Sequence, residues 1–418
     1  MNKIIVKIKK LIPKSLLKKV LPAYHYSLSM LGAIIYRFPS RKIKVVAVTG
    51  TKGKTSTVEF INAILEEAGK KTALAGTLRF KIAEISKPNM YKMTMPGRFF
   101  IQKFLRNAVT ARCEYAVIEI SSEAVKQYRN KFIDLNTLIF TNLAPEHIES
   151  HGSYENYVNA KLSIAKSLEK SRKINKVIIS NIDDSEGKKF LDINVAQKIG
   201  YSLSEVGDIF LSENETKFTY KNIKFETEIL GKFNIYNILG AIKYAESEKI
   251  DLEVVKTALS KMKEIKGRAQ KIDEGQSFKV IVDYAHTPDS LKAIYETFGN
   301  SKKIAVLGSC GGGRDKWKRK EMAEIADKNC EEIILTDEDP YEDNPMEIVS
   351  DMAKFFTDKK PEIILDRREA IKTALKKAKA GDVVVITGKG TDPYIMRANG
   401  LKEKWSDAEV AREELKKL

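Results

Sequence analysis

Val45-Val46-Ala47-Val48-Thr49-Gly50-Thr51-Lys52-Gly53-Lys54-Thr55-Ser56-Thr57 is an apolar, β-branched run that breaks at a glycine and continues as Gly-Lys-Thr. A buried strand that ends in a glycine turn aims its last backbone N–H groups, and those of the next helix, at one point where the helix dipole favours negative charge. That point suits a polyphosphate. Lys54 then reaches the outer phosphates and Thr55 offers its hydroxyl to magnesium, as in a P-loop, with Gly50, Thr51, Lys52, Gly53 and Ser56 completing the cradle. The spacing is shortened, because Val48 stands where the first glycine of the usual loop is expected. A ligand-free strand-turn-helix has the same outline, so the remaining chain decides.

The chain has 418 residues, 43% apolar and 31% charged, which suits a globular protein of two or three domains. Its formal net charge of +17 is read as spread along the chain and densest in the N-terminal arm, without an aromatic-interleaved stripe, so nucleic acid is not an expected partner. Cys113, Cys310 and Cys330 have no metal-ligand spacing and cannot all pair, which points to a reducing, cytoplasmic setting. No run approaches the ~20 apolar residues that span a bilayer, and no cleavable leader is evident.

Residues 1–43 read as a basic amphipathic arm: Ile4 to Val20 alternates lysines with apolar residues and breaks at Pro13, and Tyr24 to Phe38 is more apolar. Such an arm lies in a membrane interface or docks on the protein's own surface. From Lys44 the order is strand, loop, helix, strand, the alternation of a parallel sheet. Glu119 closes the apolar strand Tyr115–Ile120, where open α/β sheets place ligands, and is a metal-ligand candidate. His147 follows the strand Leu138–Leu143 and can share that ion, with His151 in the same loop. Lys161, on a helix beginning near Tyr157, reads by default as a solvated lysine.

Residues 205–230 alternate in short runs, as in an antiparallel hairpin on the sheet's edge. The helix that opens at Gly231 carries Asn234 and Asn237, which either cap it or hydrogen-bond a purine. A boundary falls near Gly267. Beyond it, strands at 279–284, 303–308, 332–336 and 382–387, each followed by a polar or glycine-rich turn, predict a second doubly wound domain whose strand ends face the first domain's nucleotide across a closing cleft. The expected division is an arm at 1–43, an α/β P-loop-type ATPase domain with a parallel sheet at 44–266, and a Rossmann-like domain at 267–418.

Together these pieces resemble the Mur ligases, ATP-dependent amide-forming enzymes of peptidoglycan synthesis, and most closely the MurE type. The resemblance rests on Thr49 to Thr55, Glu119-Ile120-Ser121-Ser122, Thr141-Asn142-Leu143 with Glu146-His147 and His151-Gly152, Tyr157 with Ala160-Lys161, Gly231 to Asn237, Gly267-Arg268, Asp283-Tyr284-Ala285-His286-Thr287-Pro288, Gly311 to Asp315 with Lys318-Arg319, and Gly388-Lys389-Gly390. It implies that Lys54 and Thr55 hold ATP phosphates and magnesium. It further implies that Glu119 and His147 bind two magnesium ions with a carbamylated Lys161, and that Asn234, Asn237, Arg268, Asp283 and Tyr284 surround the nucleotide. Arg314 and Lys389 then face the amino acid and γ-phosphate, and Thr94, Ser121, Ser122, His151, His286, Asp339, Tyr341 and Gly388 contact substrate. A substrate carboxylate would be phosphorylated by ATP and captured by an amine, in a monomer acting on small molecules.

Two departures shape the expectation. MurE-type relatives carry an N-terminal domain that grips UDP, and 43 residues of basic helix are not that domain, so a UDP-free or lipid-linked acceptor is one expectation beside a UDP-linked one. Where diaminopimelate enzymes show Asp-Asn-Pro-Arg, this chain has Glu338-Asp339-Pro340-Tyr341. The missing guanidinium and added acids predict L-lysine or another diamino acid over meso-diaminopimelate. A folylpolyglutamate or poly-γ-glutamate synthetase and a non-catalytic Mur-like subunit are the competing readings.

Overall fold

The computed structural model describes residues 14–146, 148–314 and 316–418, with side chains from residue 20 onward. They form two compact units: residues up to Ala144 with Glu155–Tyr201, and Pro145–Tyr154 with Ser202–Leu418.

The first unit is built on β1 (Lys44–Thr49), β2 (Thr72–Ala75), β3 (Arg79–Ile82), β4 (Ile85–Pro88), β5 (Tyr115–Glu119), β6 (Thr137–Phe140), β7 (Val177–Asn181) and β8 (Gln197–Tyr201), in the order β4-β3-β2-β5-β1-β6-β7-β8. The six strands from β2 to β8 are parallel, and β3 and β4 add an antiparallel edge. Val45 to Val48 and Ala116 to Ile118 are buried without alternation, as strands covered on both faces must be. β1 is central and its loop opens at the sheet's C-terminal edge, between the ends of β5 and β6. The helix Lys54–Glu67 follows at once, and Gly69 closes it through Gly69 N–H to Glu66 O and Lys70 N–H to Leu65 O, a Schellman motif.

In the second unit, residues 206–227 form a three-stranded antiparallel sheet of their own, β9 (Val206–Leu211), β10 (Thr216–Tyr220) and β11 (Ile223–Thr227), in place of the expected hairpin on the larger sheet's edge. A second sheet runs β12-β13-β17-β14-β15-β16, from β12 (Gln270–Ile272), β13 (Lys279–Asp283), β14 (Lys303–Leu307), β15 (Glu332–Leu335), β16 (Glu362–Ile363) and β17 (Val383–Thr387), all parallel except β12. Its strand residues alternate between two cores. Ile281, Ala305, Leu307 and Val385 pack with Leu291, Tyr295, Met322 and Met352 from helices on one face, and Val280, Val306 and Ile386 pack with Ile371, Leu375, Ala411 and Leu415 on the other. This is the doubly wound arrangement the spacing predicts.

One helix, Lys14–Ile35, runs through Pro22 and spans what the sequence divides into two segments; the break at Pro13 lies outside the described residues. Its Ser29 and Ala33 face inward: Ser29 Oγ donates to Tyr128 O at 2.7 Å, and Ala33 is fully buried.

Candidate active site

Gly50 can only be glycine. Its φ is +150°, and a Cβ there would lie 1.9 Å from Thr141 Oγ1. Thr141 and Asn142, at the end of β6, hold the loop after β1 in shape. Thr141 Oγ1 donates to Lys52 O at 2.7 Å, the Asn142 side chain brackets the Lys52 peptide at 3.0 and 3.1 Å, and Asn142 O accepts Thr51 N–H at 2.8 Å. Thr51 Oγ1 lies 2.8 Å from Tyr157 Oη. Two lysines converge here: Lys54, expected to meet phosphate, donates through Nζ to Gly50 O and Thr51 O at 2.9 and 2.8 Å, and Lys161, on the helix Tyr154–Glu169, donates through Nζ to Gly50 O at 2.6 Å. Lys161 is only 1% exposed, which overturns its default reading as a solvated lysine. Gly53 gives the left-handed turn into the helix, and Ser56 lies buried in its first turn.

Glu119, fully buried at the end of β5, accepts from Thr77 N–H at 2.8 Å, from Thr77 Oγ1 at 3.0 Å and from Thr55 Oγ1 at 3.3 Å. Gly76 leaves room for it, since a Cβ there would lie 2.6 Å from Glu119 Oε1. Thr77 escaped the sequence reading. The Gly-Thr pair directly after an apolar strand is the signal that marks it. Thr94 Oγ1 lies 3.0 Å from Thr77 Oγ1, so this substrate candidate joins the same cluster. Ser121 caps the short helix Ser122–Lys126, and Ser122 is buried. Thr55 and Glu119 offer hard oxygens that suit magnesium, which takes one or two carboxylates beside substrate phosphates. Their third expected partner, His147, lies outside the described residues, and among the described residues no group of three or more His, Cys, Asp or Glu could hold a metal.

In the second unit, Asn234 and Asn237 are buried in the first turns of the helix Lys232–Ser247, where Asn234 Nδ2 donates to Leu230 O at 2.7 Å and Asn237 Nδ2 to Asn234 Oδ1 at 3.0 Å. The Arg268 guanidinium stacks 4.6 Å over the Tyr284 ring. Asp283 accepts Ala269 N–H at 2.6 Å and Ala285 N–H at 2.7 Å. Burial raises its pKa above the usual carboxylate value against the pull of Arg268 and those two amides. His286 Nδ1 lies 2.7 Å from Tyr284 O and its Nε2 lies 3.2 Å from Glu146, whose carboxylate also sits 4.0 Å from Lys318. His151 ends the short helix Ile148–His151.

The turns after β14, β15 and β17 come together in one polar cluster. Lys389 is fully buried, its Nζ 2.8 Å from Asp339 and 3.4 Å from Asp392. Gly388 lets Glu338 approach. Asp337 pairs with Arg397, and Arg314 donates to Tyr341 Oη at 2.9 Å with its guanidinium 5.0 Å over that ring. Burial, with Glu338 alongside, pushes the Cys310 thiol well above its usual range, so it donates to Glu338 Oε1 at 3.0 Å. Glu338 Oε2 is buried with no protein partner. The acids expected to attract a cationic side chain are therefore mostly neutralised from within, Asp337 by Arg397 and Asp339 by Lys389, which leaves Glu338.

Residues 48–245 match the Mur ligase middle domain, and residues 267–390 match the Mur ligase, glutamate ligase domain. The chain is 38% identical over 411 residues to the "UDP-N-acetylmuramoyl-L-alanyl-D-glutamate--2,6-diaminopimelate ligase" of Syntrophomonas wolfei subsp. wolfei, covering 94% of this chain and 83% of that one. It is 33% identical over 405 residues to the enzyme of the same name from Halalkalibacterium halodurans, covering 91% and 82%. Among solved structures, a ligase of that name superposes with a TM-score of 0.61 at 29% identity, over 90% of this chain and 78% of the other. A folylpolyglutamate synthase from Mycobacterium tuberculosis gives 0.69 at 14% identity, over 88% and 93%, a likeness of fold alone. By this similarity across most of its length, the chain belongs to the Mur ligase family, the ATP-dependent ligases that form carbon–nitrogen bonds in peptidoglycan precursor synthesis.

Proposed function

We propose that the protein is a MurE-type ligase that joins 2,6-diaminopimelate to the D-glutamyl carboxylate of UDP-N-acetylmuramoyl-L-alanyl-D-glutamate. The observation that carries this is the convergence of Lys54 and Lys161 on Gly50 O beside the Thr55–Glu119–Thr77 cluster, in a chain 38% identical to a ligase of that name. The attack of a carboxylate on a γ-phosphate brings anion to anion, and Lys54 supplies fixed positive charge where charge develops. Thr55 and Glu119 would hold a magnesium ion, which would supply Lewis-acid charge at the same place. The carboxylate's attack releases ADP and leaves an acyl phosphate; the amine then attacks its acyl carbon, the C–N bond forms, and phosphate leaves with the amine's proton going to solvent. The family matches favour a division into 44–266 and 267–418 after an arm at 1–43.

Carbamylation of Lys161 belongs to the same reading. As a neutral amine, Nζ adds to carbon dioxide, forms an N–C bond and releases a proton, which turns a donor to Gly50 O into an anionic metal ligand. Intact-protein mass spectrometry in bicarbonate checks it, and no added carbon dioxide on the Lys161 peptide refutes it.

L-lysine is the second reading. Tyr341 in place of an arginine and the unpartnered Glu338 Oε2 favour a side chain that ends in a cation. Phosphate release measured across acceptor and amino-acid combinations tests both. Release that needs the UDP-linked dipeptide together with diaminopimelate supports the first reading, a clear preference for lysine supports the second, and release that needs neither substrate sinks the proposal.

A further inference from the structure

Residues 1–58 and 85–113 contain 13 and 6 lysines and arginines and no aspartate or glutamate. The rest of the chain therefore holds 54 of the 73 basic residues against all 56 acids, so the whole positive excess lies in these two stretches. This corrects the expectation that the charge is spread along the chain. The structure packs described parts of the two stretches together. The helix Lys14–Ile35 lies on the helix Arg98–Thr110, with Gly32 against the backbone of Arg98 and Phe99 and His25 Nδ1 2.5 Å from Arg98 Nη2.

On the outward side of the first helix, Val20, Tyr24, Leu31, Ile34 and Ile35 are between 45% and 55% exposed. Their spacing of four, seven, three and one residues puts them on a single face, opposite the inward-facing Ser29 and Ala33. Across the second helix, Tyr91 is half-exposed with its ring centroid 5.2 Å from that of Phe100. An apolar helical stripe of this size, carried on two packed segments without acids of their own, needs a cover that is apolar inside and anionic outside.

We propose that this face docks on an anionic lipid bilayer, with the stripe in the acyl–headgroup boundary and the surrounding lysines and arginines on the headgroups. Pairing with a second copy would bring two net-positive segments together, and like charges oppose that. A nucleic acid would leave the five apolar side chains uncovered. The proposal stands apart from the ligase reading, because none of the five stripe residues belongs to the candidate active site.

The test is co-sedimentation of the full chain with vesicles of phosphatidylcholine and phosphatidylglycerol, and with phosphatidylcholine alone, near physiological salt. We expect partition at least about tenfold stronger on the anionic vesicles, lost at least about tenfold in Leu31→Glu/Ile34→Glu, whose exposed positions leave the circular dichroism spectrum and ATP turnover intact. Wild-type protein that stays in the supernatant, equal partition on neutral vesicles, or equal sedimentation of the double variant overturns the proposal. So does a wild-type dimer seen by light scattering that the double variant loses while neither binds vesicles.

Discussion

Lys54 and Lys161 share one acceptor, the carbonyl oxygen of Gly50, at 2.9 and 2.6 Å. Two ammonium groups on one carbonyl repel each other, and an anion arriving at the loop relieves that repulsion. Magnesium ATP is expected to raise the melting temperature of the wild type in a concentration-dependent way. In Lys54→Ala that rise shrinks and ligase turnover falls on the order of 100-fold or more. An unchanged thermal response to ATP in the variant would remove Lys54 from the phosphate site.

Thr77 orients Glu119 through its backbone N–H and its hydroxyl. Thr77→Val keeps the shape and loses one donor to a buried carboxylate, so the magnesium concentration for half-maximal activity rises several-fold while the fold persists. Glu119→Gln, tested alongside, raises it further. Equal magnesium dependence in all three proteins refutes the assignment of Glu119 to the metal.

Arg367 and Asp407 form a fully buried pair at 2.7 Å, and the same guanidinium donates to Thr387 O at 2.7 Å and Asp337 O at 3.1 Å. It thereby ties the ends of β15 and β17, which carry Glu338-Asp339 and Gly388-Lys389. Removing one partner of a buried pair costs roughly 3–5 kcal/mol, whereas an apolar replacement of both costs less. Arg367→Met is expected to lower the melting temperature more than Arg367→Met/Asp407→Leu does. The reverse order would show that the pair does not stabilise this unit.

Asp327 is nearly fully buried and accepts the Thr357, Asp358 and Lys359 amides at 2.8 to 3.0 Å. Burial raises its pKa, but these amides and the Thr357 hydroxyl outweigh it and hold the carboxyl below its usual range. The folded state then binds fewer protons than the unfolded one, so the stabilisation is complete above the unfolded value of about 3.9 and is lost as pH falls through the folded value. Asp327→Asn should melt below wild type at pH 7, and the gap should close in acid. A gap that is constant down to acid denaturation contradicts this.

Tyr341 stacks under Arg314, at the position proposed to face the amino acid. Tyr341→Arg is expected to raise the diaminopimelate-to-lysine ratio of kcat/KM several-fold by adding a bidentate carboxylate partner. An unchanged ratio places the discrimination elsewhere.

The chemistry and order of the elements were legible in the sequence, because local physics writes them there. Apolar runs end at Gly50, at Glu119 and at the turns after β14, β15 and β17, and the parallel strands and their loops follow from that punctuation. Strand partners, burial and charge pairing depend on distant segments. Only the folded chain put Lys161 inside, against Gly50 O, and brought Thr77 to Glu119 across the β2–β5 pairing. Only the fold neutralised Asp339 with Lys389, and only packing laid the two acid-free helices against each other. Periodicity fixes which side of an element is apolar, but which partner that side meets is decided by tertiary contacts that no local pattern encodes.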